Sequence, residues 1–259
     1  MKQALIGAAL LLAACGGAQA ERVQLSGQTE TRNVAVGAFD KVELKGPDRV
    51  VVRVGGAPSV QVAGDRALLD RMQIAVEQDG KLVIQRRDRS SVNGERERVV
   101  VTVSVPRLAA AAVGGSGEMT VDRVGGGGEF AAAVGGSGDL TVGQVQAGKL
   151  EAAIGGSGDL RFDRVEAREV NMAIGGSGTI NAVGRAERIE AAIGGSGDIE
   201  ARGLEAQDAE VSIAGSGSAN VHARGLAKVA IVGSGDAVVS GGARCETSKM
   251  GSGSVRCGS

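Results

Sequence analysis

The chain has 259 residues, of which 44 are Gly, 3 are Phe and 1 is His, with no Trp and no Tyr. Glycine at this density excludes long packed helices throughout. With Lys+Arg 29 against Asp+Glu 30 and a net charge of −1, nothing pulls the chain toward nucleic acid, and only Phe39, Phe130 and Phe162 could stack on a base or a sugar. At 42 % hydrophobic and 23 % charged, the composition is that of a soluble globular protein whose core must be built without aromatics.

Residues 1–20, MKQALIGAALLLAACGGAQA, place Lys2 before an apolar run and then small residues. This is the pattern of an export signal and is too short to span a bilayer. Two processing patterns overlap in it. Leu12-Ala13-Ala14-Cys15 is a lipobox, which makes Cys15 the expected lipidation site and the membrane surface the expected partner. Ala18-Gln19-Ala20 fits ordinary signal cleavage. Acylation is worth about 0.8 kcal/mol per buried methylene, so a multiply acylated Cys15 would be firmly anchored.

From residue 34 to 106 short apolar alternations predict strands at Val42/Leu44, Val50/Val52/Val54, Val60/Val62, Leu82/Ile84 and Val99 to Val105. Gly46-Pro47-Asp48, Gly55-Gly56-Ala57-Pro58 and Asp79-Gly80 are turn signals between them, and one helical turn is expected at Arg66 to Arg71. These strands lack a common period and read as irregular rungs that begin and cap the C-terminal half of the chain. A separate domain is the weaker alternative, because no linker composition comes after Pro106.

After Val113 the tripeptide GSG recurs eight times, with serines at 116, 137, 157, 177, 196, 216, 234 and 252. Aligned on each serine, the position three before it holds Val113, Val134, Ile154, Ile174, Ile193, Ile213 and Ile231. The position three after holds Met119, Leu140, Leu160, Ile180, Ile199, Ala219, Ala237 and Val255. Apolar residues alternate with polar ones on both sides, so each repeat reads as strand, glycine corner, strand. A unit this thin cannot bury its apolar face alone, and successive units must stack as parallel strands around one core. The fold expected is all-β, a parallel β-solenoid with repeats of about 20 residues, its corner glycines admitting φ > 0. The predicted divisions are a leader over 1–20, the irregular β half over 21–112 and the repeats over 113–259.

The register tests itself on the cysteines. If the two strands of a repeat face each other across the corner, Cys245 (seven before Ser252) lies opposite Cys257 (five after). An exported pair so placed predicts a disulfide that staples the last repeat, where Thr247 and Lys249 break the apolar pattern. Free thiols are the alternative, without a C-x-x-C redox motif.

Four features are candidate sites. Glu118, Asp139, Asp159, Asp198 and Asp236 come directly after GSG corners and would stack along one edge, where oxygen ligands suit Ca²⁺. The plainer reading is that each Asp caps its corner by accepting a backbone N–H, and no cofactor or resident metal is expected. Arg86, Arg87, Arg89, Arg96 and Arg98 concentrate between two strands as a patch for an anionic ligand, although interleaved acids also fit a solvated hairpin tip. The G-x-G text precedes strands and not a helix, so it is no dinucleotide fingerprint. His222 falls at an outward position, and no serine has a histidine placed to activate it.

Several stretches together resemble a known family. The opening VAVGAFDKVELKGPDRVVVRV at Val34 to Val54, KLVIQ at Lys81 to Gln85, VTVSVPRL at Val101 to Leu108 and the GSG-acid repeats are similar to the putative auto-transporter adhesin family, also called the head GIN domain. The resemblance implies a right-handed parallel β-helix in the bacterial envelope and brings no catalytic residues with it. The function expected is that of a non-enzymatic, exported cell-envelope module, adhesin-like or structural, on an outer-membrane lipoprotein, in the periplasm or at the cell surface. Its partners would be an envelope or surface ligand and not nucleic acid, and an open solenoid end could pair with a second copy. The alternative is a polysaccharide-active β-helix lyase or hydrolase, against which the missing Trp and Tyr weigh because aromatic subsites are expected there.

Overall fold

A computed structural model describes residues 25–87 and 98–258. The elements in chain order are β1 (Thr29–Val34), β2 (Lys41–Leu44), β3 (Arg49–Val54), β4 (Ser59–Asp65), α1 (Arg66–Leu69), β5 (Met72–Val76), β6 (Lys81–Arg86) and β7 (Val100–Val105). The repeats supply β8 (Ala110–Val113), β9 (Glu118–Val124), β10 (Glu129–Val134), β11 (Asp139–Ile154), β12 (Leu160–Ile174), β13 (Thr179–Ile193) and β14 (Asp198–Ala206). They close with β15 (Asp208–Gly215), β16 (Ser218–Ala223), β17 (Leu226–Gly233), β18 (Asp236–Ser240), β19 (Arg244–Gly251) and β20 (Ser254–Cys257).

The fold is the β-solenoid expected, and the serine-aligned register holds residue by residue. Val113, Val134, Ile154, Ile174, Ile193, Ile213 and Ile231 stack in parallel strands. Across the core, Met119, Leu140, Leu160, Ile180, Ile199, Ala219, Ala237 and Val255 do the same. From Val113 to Ala237 these side chains are at most 2 % exposed, and Phe130 and Phe162 sit among them. Burial of this ladder drives the fold.

The glycine corners have a different cause from the one expected. In the repeats around Ser116 to Ser196 neither corner glycine has a positive φ; only Gly215, Gly233 and Gly251 do, in the last three corners. The constraint is close stacking. From Ser137 to Ser234 each corner serine N–H donates to the first glycine carbonyl of the preceding corner, as in Ser157 to Gly136 at 3.0 Å. A Cβ on Gly156 would lie 2.0 Å from that Gly136 oxygen, and one on Gly158 would lie 1.9 Å from the Gly138 oxygen.

The N-terminal half does not stack in chain order. The β2–β3 rung lies between two others: β2 pairs in parallel with both β6 and β8, and β3 with both β7 and β9. Beyond it the pairing turns antiparallel, with β4 on β7, β1 on β4 and β5 on β6. This end is therefore covered, and the open parallel edge is spent. The helical turn α1 buries Leu68 and Leu69, and Asp65 caps it by accepting from Ala67 N at 2.9 Å. Burial pushes the Asp65 carboxyl up. Hydrogen bonds from the Ser26 and Ala67 backbone, the Ser26 hydroxyl and the Gly27 backbone outweigh it and hold the carboxyl below its ordinary range.

At the other end β19 and β20 pair only with β17 and β18. Cys245 and Cys257 are bonded there, their Cα atoms 6.6 Å apart, as the facing register requires. The chain-entropy model assigns a loop of this size about 3 kcal/mol, and only the terminal rungs depend on it. Reduction, or Cys245→Ser with Cys257→Ser, should lower the calorimetric melting temperature by several degrees. Hydrogen exchange should increase in β19 and β20 while β11 to β13 stay protected.

Candidate functional site

The column of acids after the GSG corners serves the backbone. Asp139 Oδ1 accepts from Asp159 N at 3.2 Å, Asp159 Oδ1 from Thr179 N at 3.0 Å, Asp198 Oδ1 from Ser218 N at 3.1 Å and Asp236 Oδ1 from Ser254 N at 2.9 Å. Each carboxylate thus ties its own rung to the next. Glu118 turns the other way and pairs with Arg49 at 2.9 Å on the neighbouring rung. Among the described residues no three His, Cys, Asp or Glu side chains converge, and the hydrogen bonds of Asp139, Asp159, Asp198 and Asp236 are those of backbone capping.

One of these caps has a readable titration. The Ser254 hydroxyl and backbone N–H both donate to Asp236, and they hold its carboxyl below the ordinary range. A carboxyl lowered in the folded state contributes stability at neutral pH that is lost as pH falls through its folded value. Acidification below the usual carboxylate range should therefore loosen the β18–β20 pairing. Asp236→Asn should remove that part of the pH dependence, as read from amide exchange of β20.

The arginine cluster does not form one surface. Arg86 is buried, its side chain 2 % exposed against 0 % for Asp48, and it makes a two-point contact with that carboxylate, Nε to Oδ2 at 3.0 Å and Nη2 to Oδ1. It therefore leaves the expected anionic-ligand patch, because its charge is satisfied inside the fold. Arg87 is exposed and Arg98 half-buried, while Arg89 and Arg96 lie outside the described residues, as does Cys15. His222 is not the freely exposed residue its outward position implied. It is half-buried, with Nδ1 at 3.3 Å from Ser240 Oγ and the Gly241 backbone close to Nε2.

A feature that inspection of single residues does not reveal lies where β11, β12 and β13 bend through the wall away from the GSG corners. Glu129, Lys149, Glu169, Arg188 and Asp208 stack in one column with alternating sign. Lys149 is also bonded to Glu151 at 2.6 Å, and Glu151, Glu169 and Glu129 all raise its pKa. A cavity of about 790 Å³ opens beside this column. The signal is in the repeat alignment, at the position eight before each serine, yet no motif points to it. Phe39, Phe130 and Phe162 are all at most 6 % exposed and offer no stacking platform. No helix among the described residues is long and apolar enough to cross a membrane.

Solved structures share this fold. A Parabacteroides distasonis protein described as a putative adhesin is 25 % identical, covering 92 % of this chain and 100 % of its own, with a TM-score of 0.84. A second protein from that organism, described as a putative lipid binding protein, is 26 % identical over 92 % of this chain and 99 % of its own, at a TM-score of 0.81. A putative adhesin from Parabacteroides merdae, 23 % identical with 92 % and 99 % coverage and a TM-score of 0.82, shows the fold alone. No curated protein matches. The family model described as "Putative auto-transporter adhesin, head GIN domain" matches residues 38–243, and the chain belongs to that family.

Proposed function

We propose that this protein is an exported cell-envelope module that binds through the outer surface of its solenoid and catalyses no reaction. The observation that carries the reading is how the polar groups are used. The corner carboxylates that stand closest to a catalytic or metal arrangement accept backbone N–H groups of the next rung, and the interior is filled by stacked apolar side chains. The rungs repeat one outer surface over the length of the rod, which suits recognition of an extended partner. Descriptions of the solved relatives as adhesins or as lipid binding agree with an envelope role.

In this reading the leader delivers the chain out of the cytoplasm, and Cys15 at the end of Leu12-Ala13-Ala14 carries the lipid. Of the basic run, Arg87 remains exposed near the covered end, and the open β19–β20 edge is where a second copy would pair. Protease shaving of intact and permeabilised cells, with lipid labelling of Cys15 in the same samples, tests placement. Cleavage on intact cells is the result expected of a surface adhesin. Protection until permeabilisation would confine the rod to the periplasm, and a chain retained unprocessed in the cytoplasm would overturn the envelope reading. New reducing ends or unsaturated products from a panel of polysaccharides would overturn the non-enzymatic reading.

A further inference from the structure

The bent wall carries a groove whose chemistry selects a ligand class. Gly128, Gly148, Arg168, Glu187 and Gln207 occupy successive rungs beside the alternating column, so the groove runs along the solenoid axis for on the order of 20 Å at the strand spacing. At one end its floor is backbone, formed by Gly127, Gly128 and Gly148. Two further depressions continue it sideways, sharing first Glu187 and Gln207 and then Arg185 and Glu205. Arg168, Glu187 and Gln207 stand exposed, and no other described residue hydrogen-bonds or pairs with their side chains.

Three classes of ligand fit this groove poorly. Lys149, Arg168 and Arg188 share the lining with Glu129, Glu169, Glu187 and Asp208, three cations among four anions, so a polyanion or a polycation meets several like charges along with opposite ones. A peptide strand needs free backbone groups to pair with, and those of β11 to β13 are spent in the ladder between rungs. A lipid chain needs apolar walls, whereas the lining here is glycine and charged or amide side chains. A hydroxyl both donates and accepts, so a polyhydroxylated chain satisfies carboxylate, guanidinium and amide in turn. A polymer of similar units also matches a groove whose backbone recurs at every rung.

We propose that this groove binds a linear, neutral, hydroxyl-rich glycan lying along the solenoid axis. The proposal names a ligand for the interaction module described above and rests on that reading. Because no aromatic ring is exposed to stack on a sugar face, hydrogen bonds alone hold the ligand. One site is weak, and useful binding comes from many anchored copies acting together.

The test is calorimetry on the full mature chain with cellohexaose, maltohexaose and mannohexaose, and with a hyaluronan hexasaccharide as the anionic comparison, at low and high salt. The expected result is saturable, salt-insensitive binding of at least one neutral hexasaccharide. It should weaken by about tenfold or more in Arg168→Ala with Glu187→Ala, and in Gln207→Trp, which fills the groove from an exposed position. Melting should be unchanged in both. Binding of no neutral probe, equal binding by folded variants, or salt-sensitive binding of hyaluronan alone would each overturn the proposal. A chain shaved from intact cells that binds no neutral glycan refutes the groove and leaves the envelope reading standing. Retention of the chain in the cytoplasm refutes that reading whatever the groove binds.

Discussion

Gly156→Ala and Gly158→Ala should each lower stability by about 3 kcal/mol, the upper end of overpacking costs, while Gly155→Ala one residue away should change it by less than about 0.5 kcal/mol. The three glycines share one corner, and none has a positive φ. The difference is what a methyl would strike. At 156 and 158 it meets a carbonyl oxygen of the previous corner at 2.0 and 1.9 Å, and at 155 nothing lies within 4 Å. The struck Gly136 carbonyl also accepts from Ser157 N at 3.0 Å and Gly158 N at 3.2 Å, so it cannot retreat without losing the ladder. For a chain of this size about 3 kcal/mol lowers the melting temperature by roughly 6–12 °C. Circular dichroism or calorimetry is the readout, because the chain has no Trp or Tyr to report by fluorescence. Equal melting of the three variants would show that the corner breathes and that backbone contact is not the constraint.

Asp48→Ala should cost about 3–5 kcal/mol, since it leaves the buried Arg86 charge without its carboxylate. Asp48 stands in register with Gly117, at the corner position where the repeats carry their second glycine. Its side chain is therefore directed into the fold, where it also accepts from Val99 N at 2.9 Å. Replacing both partners, Asp48→Leu with Arg86→Met, should recover much of the loss, because no charge is then stranded. The Arg49–Glu118 pair nearby provides the contrast. Its side chains are 43 % and 39 % exposed, and Glu118→Gln should cost less than about 1 kcal/mol. A double variant no better than Asp48→Ala would mean that the pair positions the β3–β7 rung beyond neutralising its own charges.

The repeat half was legible because its physics is local and periodic. Side chains alternate along a strand, the strands stack in parallel, and eight GSG corners mark the register. Even the Cys245–Cys257 bond comes from counting positions around Ser252. The N-terminal half gave up its other strands and its helical turn, but β1 and β5 carry no alternation clear enough to predict them. Arg86 could not be told from Arg87 by sequence, since both lie in one basic run. Only the pairing of β2 with β6 sets Arg86 beside Asp48 and takes it out of reach of a ligand.

By itself, then, the sequence determined the fold class, the core columns, the corner positions and the cysteine pair, because each depends on residue type at a fixed spacing along the chain. Tertiary structure decided the rest. It inserted the β2–β3 rung between β6–β7 and β8–β9, turned the covering strands antiparallel, engaged the corner acids with the backbone and brought charges from five rungs into one groove. Those outcomes depend on which strands meet across long loops and on what room remains between rungs, distances that no period along the chain encodes.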